Sequence, residues 1–407
     1  MHDIPSRALT ARSVKTEWFT LTEPSLRADV HVSRFGPPGG AEEIHLQITP
    51  RAYGAAEDQL RAISQAYEIA KAELGLDSGS AVFRRIYCSD VVNQAEALDC
   101  HPLTARHRKA DPCAVSWVGQ AAVPDSKLAL WAYHLGDDTG GLVKEQDGTS
   151  LRLQRGSLTH HWSTGMTDTG STDSFDQTEE IFADYTERLA KEGMTLAENV
   201  IRTWLFVKNI DADYRGLVVA RRELFAKQGL TSETHYIASS GIEGGNEDVR
   251  ALVSMDAYAI DGIRPEQIEF LNALDYLGPT HAYGVTFERG TSVAYRDRKH
   301  LFLSGTASID PEGVVLHPGD VGKQLERTLE NMNALLVDGG GSLEDMCHFT
   351  VYLRDPSDEG LIRSMMRQRF PEAPMILVVG PVCRPGWLIE LEGVACVANE
   401  QAGLPAY

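Results

Sequence analysis

The segment Pro381-Val-Cys383-Arg384-Pro-Gly-Trp387-Leu-Ile-Glu390-Leu-Glu392-Gly393 runs from a turn into an apolar strand that carries two carboxylates. Side chains alternate between the two faces of a strand. Leu388, Glu390 and Glu392 therefore share one face, and Trp387, Ile389 and Leu391 the other. Water against the first face would account for both Glu residues. A cleft there would instead give one of them the surroundings of a general acid, kept protonated by apolar neighbours and a like charge two residues away.

Working back along the chain, the same pattern occurs three times. Leu60, Ile63, Tyr67, Ala70 and Leu74 have helical spacing and precede Gly75. Ile181, Phe182, Tyr185 and Leu189 precede Gly193, and Val321, Leu325, Leu329, Met332, Leu335 and Leu336 precede Gly339. Each reads as an amphipathic helix closed by a left-handed glycine. A polar link and a strand follow each time: 81–88, 200–207 and 346–353. Second helices are expected over 214–228 and 359–370, then two closing strands such as 251–260 and 387–397. Each unit thus reads as strand-strand-helix-strand-helix-strand-strand, an α+β layer with two helices on one face of a mixed sheet. The units are placed at 25–150, 151–263 and 264–400. Residues 1–24 and 401–407 read as tails or edge additions. The segment 136–173, rich in Gly, Ser, Thr and Asp, reads largely as a long loop, with His160 and His161 on its surface.

The bulk composition narrows the function. The chain has 407 residues, a hydrophobic fraction of 43% and a net charge of −20. A nucleic-acid partner would call for a basic footprint, which this charge opposes. An anionic small molecule needs only one or two placed Arg residues. The six cysteines, Cys88, Cys100, Cys113, Cys347, Cys383 and Cys396, form no C-x-x-C pair. They read as free thiols of a reducing cytoplasm, with no metal site among them. Neither a signal-peptide run nor a stretch long enough to span a bilayer is apparent. No P-loop, H-E-x-x-H or G-x-G-x-x-G occurs, so neither a cofactor nor a metal is expected.

The third unit carries the motifs His281-Ala-Tyr283-Gly284, Phe287-Glu-Arg289-Gly-Thr, Leu301-Phe-Leu-Ser304-Gly305-Thr-Ala-Ser308-Ile, His317-Pro-Gly-Asp320-Val and Cys383 to Gly393. In order and spacing these resemble the C-terminal core of the Rid/YjgF superfamily. Within it the chain resembles the chorismatases. The shared features are Arg202-Thr-Trp-Leu-Phe, Ala238-Ser-Ser240-Gly241-Ile, a Tyr-Gly followed by Phe-x-Arg, and a Cys seven residues before Glu390. The resemblance implies that Glu390 is the proton donor and Arg289 a carboxylate clamp, with Gly305 and Cys383 lining the pocket. Gly with Cys at these two positions resembles the branch that forms 3-hydroxybenzoate. Ala at both resembles the branch that hydrolyses to a dihydrodiol. Imine hydrolases of the superfamily hold a carboxylate with an Arg fifteen residues before the Glu. Here that position is Met375, so the bidentate grip is missing.

Each candidate has an ordinary reading beside the functional one. Arg289 pairs either with a ligand carboxylate or with Glu288 or Glu392. Cys383 reads as a pocket-lining thiol, because the sequence fixes no His beside it. Gly305 alone would mark a close backbone contact. Tyr283 binds a substrate oxygen or is simply a half-buried strand residue. Ser240 and Gly241 belong to the stretch from Tyr236 to Gly245, which is expected to wall the site from the second unit. Glu392 is assigned a supporting role.

Single-unit members of the superfamily resemble one another in forming trimers with clefts between subunits. Three units in one chain are therefore expected to form an intramolecular pseudo-trimer around a β-barrel core, monomeric or a low-order homo-oligomer. The first unit reads as degenerate, lacking an Arg and Glu pair. The function expected is a cofactor-independent, chorismatase-like lyase or hydrolase. It would cleave the enolpyruvyl group of chorismate, or of a related cyclic acid, to pyruvate and a hydroxybenzoate. The alternatives are a Rid-like imine or enamine deaminase with an unusual substrate and a non-catalytic protein that binds a small acid.

Overall fold

Three times along the chain, an amphipathic helix lies between strands that close into one sheet beneath it. The computed structural model describes residues 15–77, 79–107, 111–124, 126–136 and 142–407. The first unit comprises β1 (Glu17–Thr20), β2 (Ala28–Phe35), β3 (Glu42–Pro50), α1 (Ala56–Leu74), β4 (Ala81–Cys88), α2 (Val91–Cys100), β5 (Ala114–Val118) and β6 (Leu128–Gly136). The second has β7 (Val143–Asp147), β8 (Ser150–Arg155), β9 (Leu158–Met166), α3 (Ser174–Lys191), the one-turn α4 (Leu196–Asn199), β10 (Val200–Val207), α5 (Ile210–Lys227), β11 (Ala238–Glu243) and β12 (Val253–Asp261). The third has β13 (Ile268–Phe270), β14 (Gly290–Ala294), β15 (Arg298–Ala307), α6 (Val321–Asp338), β16 (Met346–Leu353), α7 (Glu359–Arg369), β17 (Met375–Val379) and β18 (Ile389–Ala398).

All three sheets share one strand order, which in the third unit is β13-β14-β15-β18-β16-β17. Pairing is antiparallel except in the last pair of each sheet, β4/β5, β10/β11 and β16/β17. A parallel pair needs a crossover, and α2, α5 and α7 provide it. Helices α1, α3 and α6 bury the apolar stripes read from the sequence, such as Leu325, Leu329, Met332 and Leu336 of α6 against β15 and β18. Asp90, Asp173, Asn209 and Asp320 cap helix N-termini through their side chains.

The structure corrects several expectations. No closed barrel forms, because each sheet remains a separate six-stranded sheet. The units meet through single bridges, Gly119 to Gly245, Ala122 to Val378, Ala238 to Glu288 and Ile242 to Val382. A continuous ladder is replaced by side chains: Phe83, Trp131, Trp162, Trp204 and Tyr258 fill the space between the sheets. The supposed loop 136–173 carries β7, β8 and β9, which turn at Gly148 and Gly156. The alternation of Leu151 and Leu153 with polar residues was its strand signal. The second sheet therefore begins at Val143 rather than at residue 151. His160 and His161 are buried on β9, and His160 Nδ1 lies 2.7 Å from the Tyr258 hydroxyl.

Each unit also has one more leading strand than expected. In the first unit it is β1, an edge addition from the segment 1–24, of which residues 1–14 lie outside the described residues. The C-terminal Tyr407 is no tail residue. It is buried against Tyr133, Tyr295 and His300. Gly75 and Gly193 are left-handed, but in the third unit the left-handed residue is Gly340, while Gly339 is right-handed and packs against Leu301. Among the described residues no helix is long and apolar enough to cross a membrane.

Candidate active site

Strand register locates Glu390 within the threefold pattern. On β18, Glu390 pairs with Tyr352 and Glu392 with Thr350 of β16. The corresponding pairs in the second unit are Ser254 with Phe206 and Asp256 with Trp204. In the first they are Ala129 with Tyr87 and Trp131 with Arg85. Glu390 thus has Ser and Ala at its two equivalent positions. The third unit alone places a carboxylate there.

Glu390 faces a cleft of about 470 Å³ between the third unit and the second. Its side chain is 6% exposed. Burial, reinforced by the charge of Glu392, pushes its carboxyl up to about 8, against the opposing pull of Arg289 and Arg202. The acid therefore keeps its proton near neutral pH. Glu392, one step further along the same face, is an acceptor of four hydrogen bonds. Arg202 Nη2 donates at 2.7 Å, the Tyr352 hydroxyl at 2.7 Å and Trp204 Nε1 at 3.1 Å, and the Ser240 hydroxyl donates as well. The guanidinium of Arg85, from the first unit, stands 3.9 Å away.

Gly305 occupies a bulge where β15 pairs with β18. A Cβ at this position would overlap the Glu390 carboxyl and lie 3.2 Å from Ser240 Oγ. Glycine here is thus a condition for the observed place of Glu390. The Gly305 N–H donates to Ser240 Oγ at 2.8 Å, and Arg202 Nη2 donates to the same oxygen at 2.6 Å. With its own proton given to Glu392, the Ser240 hydroxyl has no position left for a ligand. Ser240 borders the cleft as a strut between units.

Arg289 precedes β14 and is 8% exposed. Neither Glu288 nor Glu392 takes it. Its Nη2 donates to the Gly278 carbonyl at 3.1 Å and to the Tyr283 hydroxyl, and its Nε is buried without a partner. Tyr283 lies in the 3-10 turn Thr280–Tyr283, not on a strand, and burial raises its hydroxyl above the usual range. Arg384 stacks on Tyr283 and Trp387 and donates to the Gly313 carbonyl at 2.7 Å. Cys383, beside it, is pushed up to about 12 by burial and by Glu390, so the thiol stays un-ionised.

The second unit forms the facing wall. Gly241 of β11 leaves room for the ring of Tyr214, whose Cε2 lies 3.0 Å from the position of a Cβ. The Tyr214 and Cys383 side chains meet at the cleft. Arg221 is buried, donates from Nη1 to Ser239 Oγ at 3.3 Å, and has an unpartnered Nε. Sequence reasoning named Glu390, Arg289, Tyr283, Gly305, Cys383, Ser240 and Gly241, and the structure brings all seven to this cleft. It missed Tyr214 and Arg221. Their spacing, two turns apart on one face of α5, was the available signal.

At the other two junctions side chains meet across the units. Between the first and second, Arg106 pairs with Glu247 at 2.6 Å and lies 3.9 Å over Trp117. Between the first and third, Trp131 and His348 pack with ring centroids 3.9 Å apart. Among the described residues one group, Glu43, His300 and Cys396, has ligand-type atoms close enough for a metal ion. Arg298 also bonds to Glu43, and His300 Nε2 lies 2.7 Å from the same carboxylate.

The family Endoribonuclease L-PSP matches residues 290–397. A RutC family protein of Pyrococcus abyssi is 34% identical over 106 residues, 26% of this chain and 84% of that protein. The 3-aminoacrylate deaminase RutC of Acinetobacter baylyi is 35% identical over 100 residues, 24% of this chain and 79% of the relative. A 3-hydroxybenzoate synthase of Streptomyces hygroscopicus is 27% identical over 219 residues, 48% of this chain and 63% of the relative. Among solved structures, a chorismatase superposes with a TM-score of 0.60 at 19% identity, covering 78% of this chain and 93% of that one. At that identity the likeness concerns the fold.

Proposed function

This chain belongs to the Rid/YjgF superfamily, and from that premise we propose that it is of the chorismatase-like branch and cleaves the enolpyruvyl group of chorismate or a related cyclic enol-ether acid without a cofactor. The observation that carries this reading is the buried carboxyl of Glu390, pushed up to about 8, facing a cleft that a buried Arg289 with an unpartnered Nε also borders. An enol ether breaks once its methylene carbon receives a proton, which leaves an oxocarbenium-like centre. The donor must be an acid that retains its proton at working pH, and Glu390 meets that requirement.

Arg289 and Tyr283 hold a substrate carboxylate at one end of the cleft, and Trp387 and Ile309 give the ring an apolar bed. Gly305 and Cys383 resemble the pair of the branch that forms 3-hydroxybenzoate. The products are then pyruvate and 3-hydroxybenzoate, whose atoms sum to those of chorismate with no water consumed. The test is incubation with chorismate and measurement of pyruvate. Release above background that Glu390→Gln abolishes supports the reading. No release, or full activity in that variant, ends it.

The likeness to a 3-aminoacrylate deaminase favours a second reading, imine or enamine hydrolysis. Met375 stands on β17 where the imine hydrolases of the superfamily carry their clamping Arg, so this reading requires Arg289 to take over the grip. Ammonia release from an unstable imino acid, without pyruvate from chorismate, would select it.

A further inference from the structure

Resting on the reading of Glu390 as the acid, we propose that Glu392 is a positioning residue: a carboxylate pinned by donors from two units, on the same strand face as Glu390, that fixes the surroundings of the acid. The two carboxylates lie on one face of one strand but have opposite surroundings. Glu392 accepts from Arg202, Trp204, Ser240 and Tyr352. A carboxylate has about four acceptor sites. All are engaged here, and a protonated Glu392 would have to give one of them up. Glu390 has no comparable set of donors, and its surroundings act on it through burial and charge alone. The two carboxyl groups are therefore set apart by geometry: Glu392 is surrounded by donors, while Glu390 faces the cleft.

The link between them is short. Ser240 Oγ bonds to Glu392 and to the Gly305 N–H, and the Glu390 carboxyl fills the space where Gly305 lacks a Cβ. The charged and titratable groups acting on Glu390 come from several elements. Glu392 lies on β18, Arg202 on β10 and Arg289 ahead of β14. Cys383 and Tyr214, which Glu390 itself influences, are both un-ionised. Glu392 supplies the negative charge in this set, so its removal leaves two cations to favour the ionised acid.

A similar network exists without an acid. At the junction of the first and second units, Ser116 and Arg85 hold Asp256 with hydrogen bonds of 2.5 and 2.8 Å, and Ser254 stands where Glu390 would be. Such a network can therefore serve assembly alone. The test needs a readout that a structural role would not move.

That readout is the titration of Glu390 itself, followed by carbon NMR on protein labelled at the glutamate carboxyl, with the signal assigned by its loss in Glu390→Gln. In Glu392→Gln the Glu390 midpoint is expected to fall by about one pH unit or more. In Glu392→Asp, which keeps the charge as Asp256 does, it should stay with the wild type. Should Glu392→Gln not fold, the neutral pair Arg202→Gln with Glu392→Gln leaves fewer buried charges unpaired. It still predicts a fall, because Glu392 acts on Glu390 more strongly than Arg202 does. A midpoint unchanged by removal of the Glu392 charge overturns the proposal, as does a Glu392→Asp variant that titrates like Glu392→Gln. Chorismate turnover is measured in parallel. Its absence removes the chorismatase reading, while the titration still decides the role of Glu392.

Discussion

The Glu390 carboxyl occupies the space that a Cβ on Gly305 would need, so the place of the acid depends on the absence of a side chain on the neighbouring strand. The atom in the way is the mobile end of Glu390 rather than backbone. Gly305→Ala should therefore fold, with the carboxyl pushed towards the cleft. A misplacement of this order lowers turnover by about a hundredfold in well-oriented sites. Steady-state pyruvate release from chorismate checks it, with thermal denaturation to confirm an intact fold.

Glu390 should make activity fall with alkali and should also cost the fold stability. In the native protein it loses its proton near pH 8. In the unfolded chain it does so near the usual value of about 4.3. The native state thus binds more protons between these values, and stability declines as pH rises through that window, with no further loss above it. Gln cannot ionise. Glu390→Gln is therefore expected to be more stable than the wild type by about 2–4 kcal/mol at pH 7, and similar to it below pH 4. Denaturant melts at the two pH values measure this. For the wild type, kcat/KM should fall on the alkaline side near pH 8, as the acid is lost.

Much of this arrangement was legible in the chain, because the signals were local. Strands 81–88, 200–207 and 346–353 coincide with β4, β10 and β16, where continuous apolar runs end at turns. The alternation across Glu390 and Glu392 placed both on one face, and of the two Glu390 lines the cleft while Glu392 is enclosed by donors. What escaped depended on tertiary pairing. His160 seemed a surface residue because its partner, Tyr258, is far away in sequence. Ser240 looked like a binding hydroxyl, since only the fold brings Glu392 and the Gly305 N–H to it. Barrel closure failed for the same reason. The rings that separate the sheets come from strands of the first and second units.

Cys383 lines the cleft but should be chemically quiet. Burial and the nearby Glu390 push its thiol up to about 12, and the thiolate is the reactive form. Cys100, by contrast, is exposed. Brief treatment with iodoacetamide at pH 7.5 or so should alkylate Cys100 and spare Cys383, as read by peptide mass spectrometry. Cys383→Ser should retain most of its pyruvate release. Rapid alkylation of Cys383 with matching loss of activity would instead make it a nucleophile.

Arg289 and Tyr283 act as one unit, and their variants should show it. The guanidinium reaches the Gly278 carbonyl and the Tyr283 hydroxyl through Nη2, which fixes its plane, and it lies near the rings of both Tyr283 and Phe287. The guanidinium borders the cleft, and its Nε is buried without a partner. A planar fork of this kind is not reproduced by an ammonium group. Arg289→Lys should therefore raise KM for chorismate by at least about tenfold, the worth of one charge-assisted hydrogen bond. Tyr283→Phe keeps the ring and removes the hydroxyl that steadies Nη2. Its effect should be in the same direction but smaller. Because a carboxylate remote from the breaking bond is held equally before and during reaction, kcat should change little in either variant. A fall in kcat at constant KM would place Arg289 at the reacting end of the cleft, beside the group that Glu390 protonates.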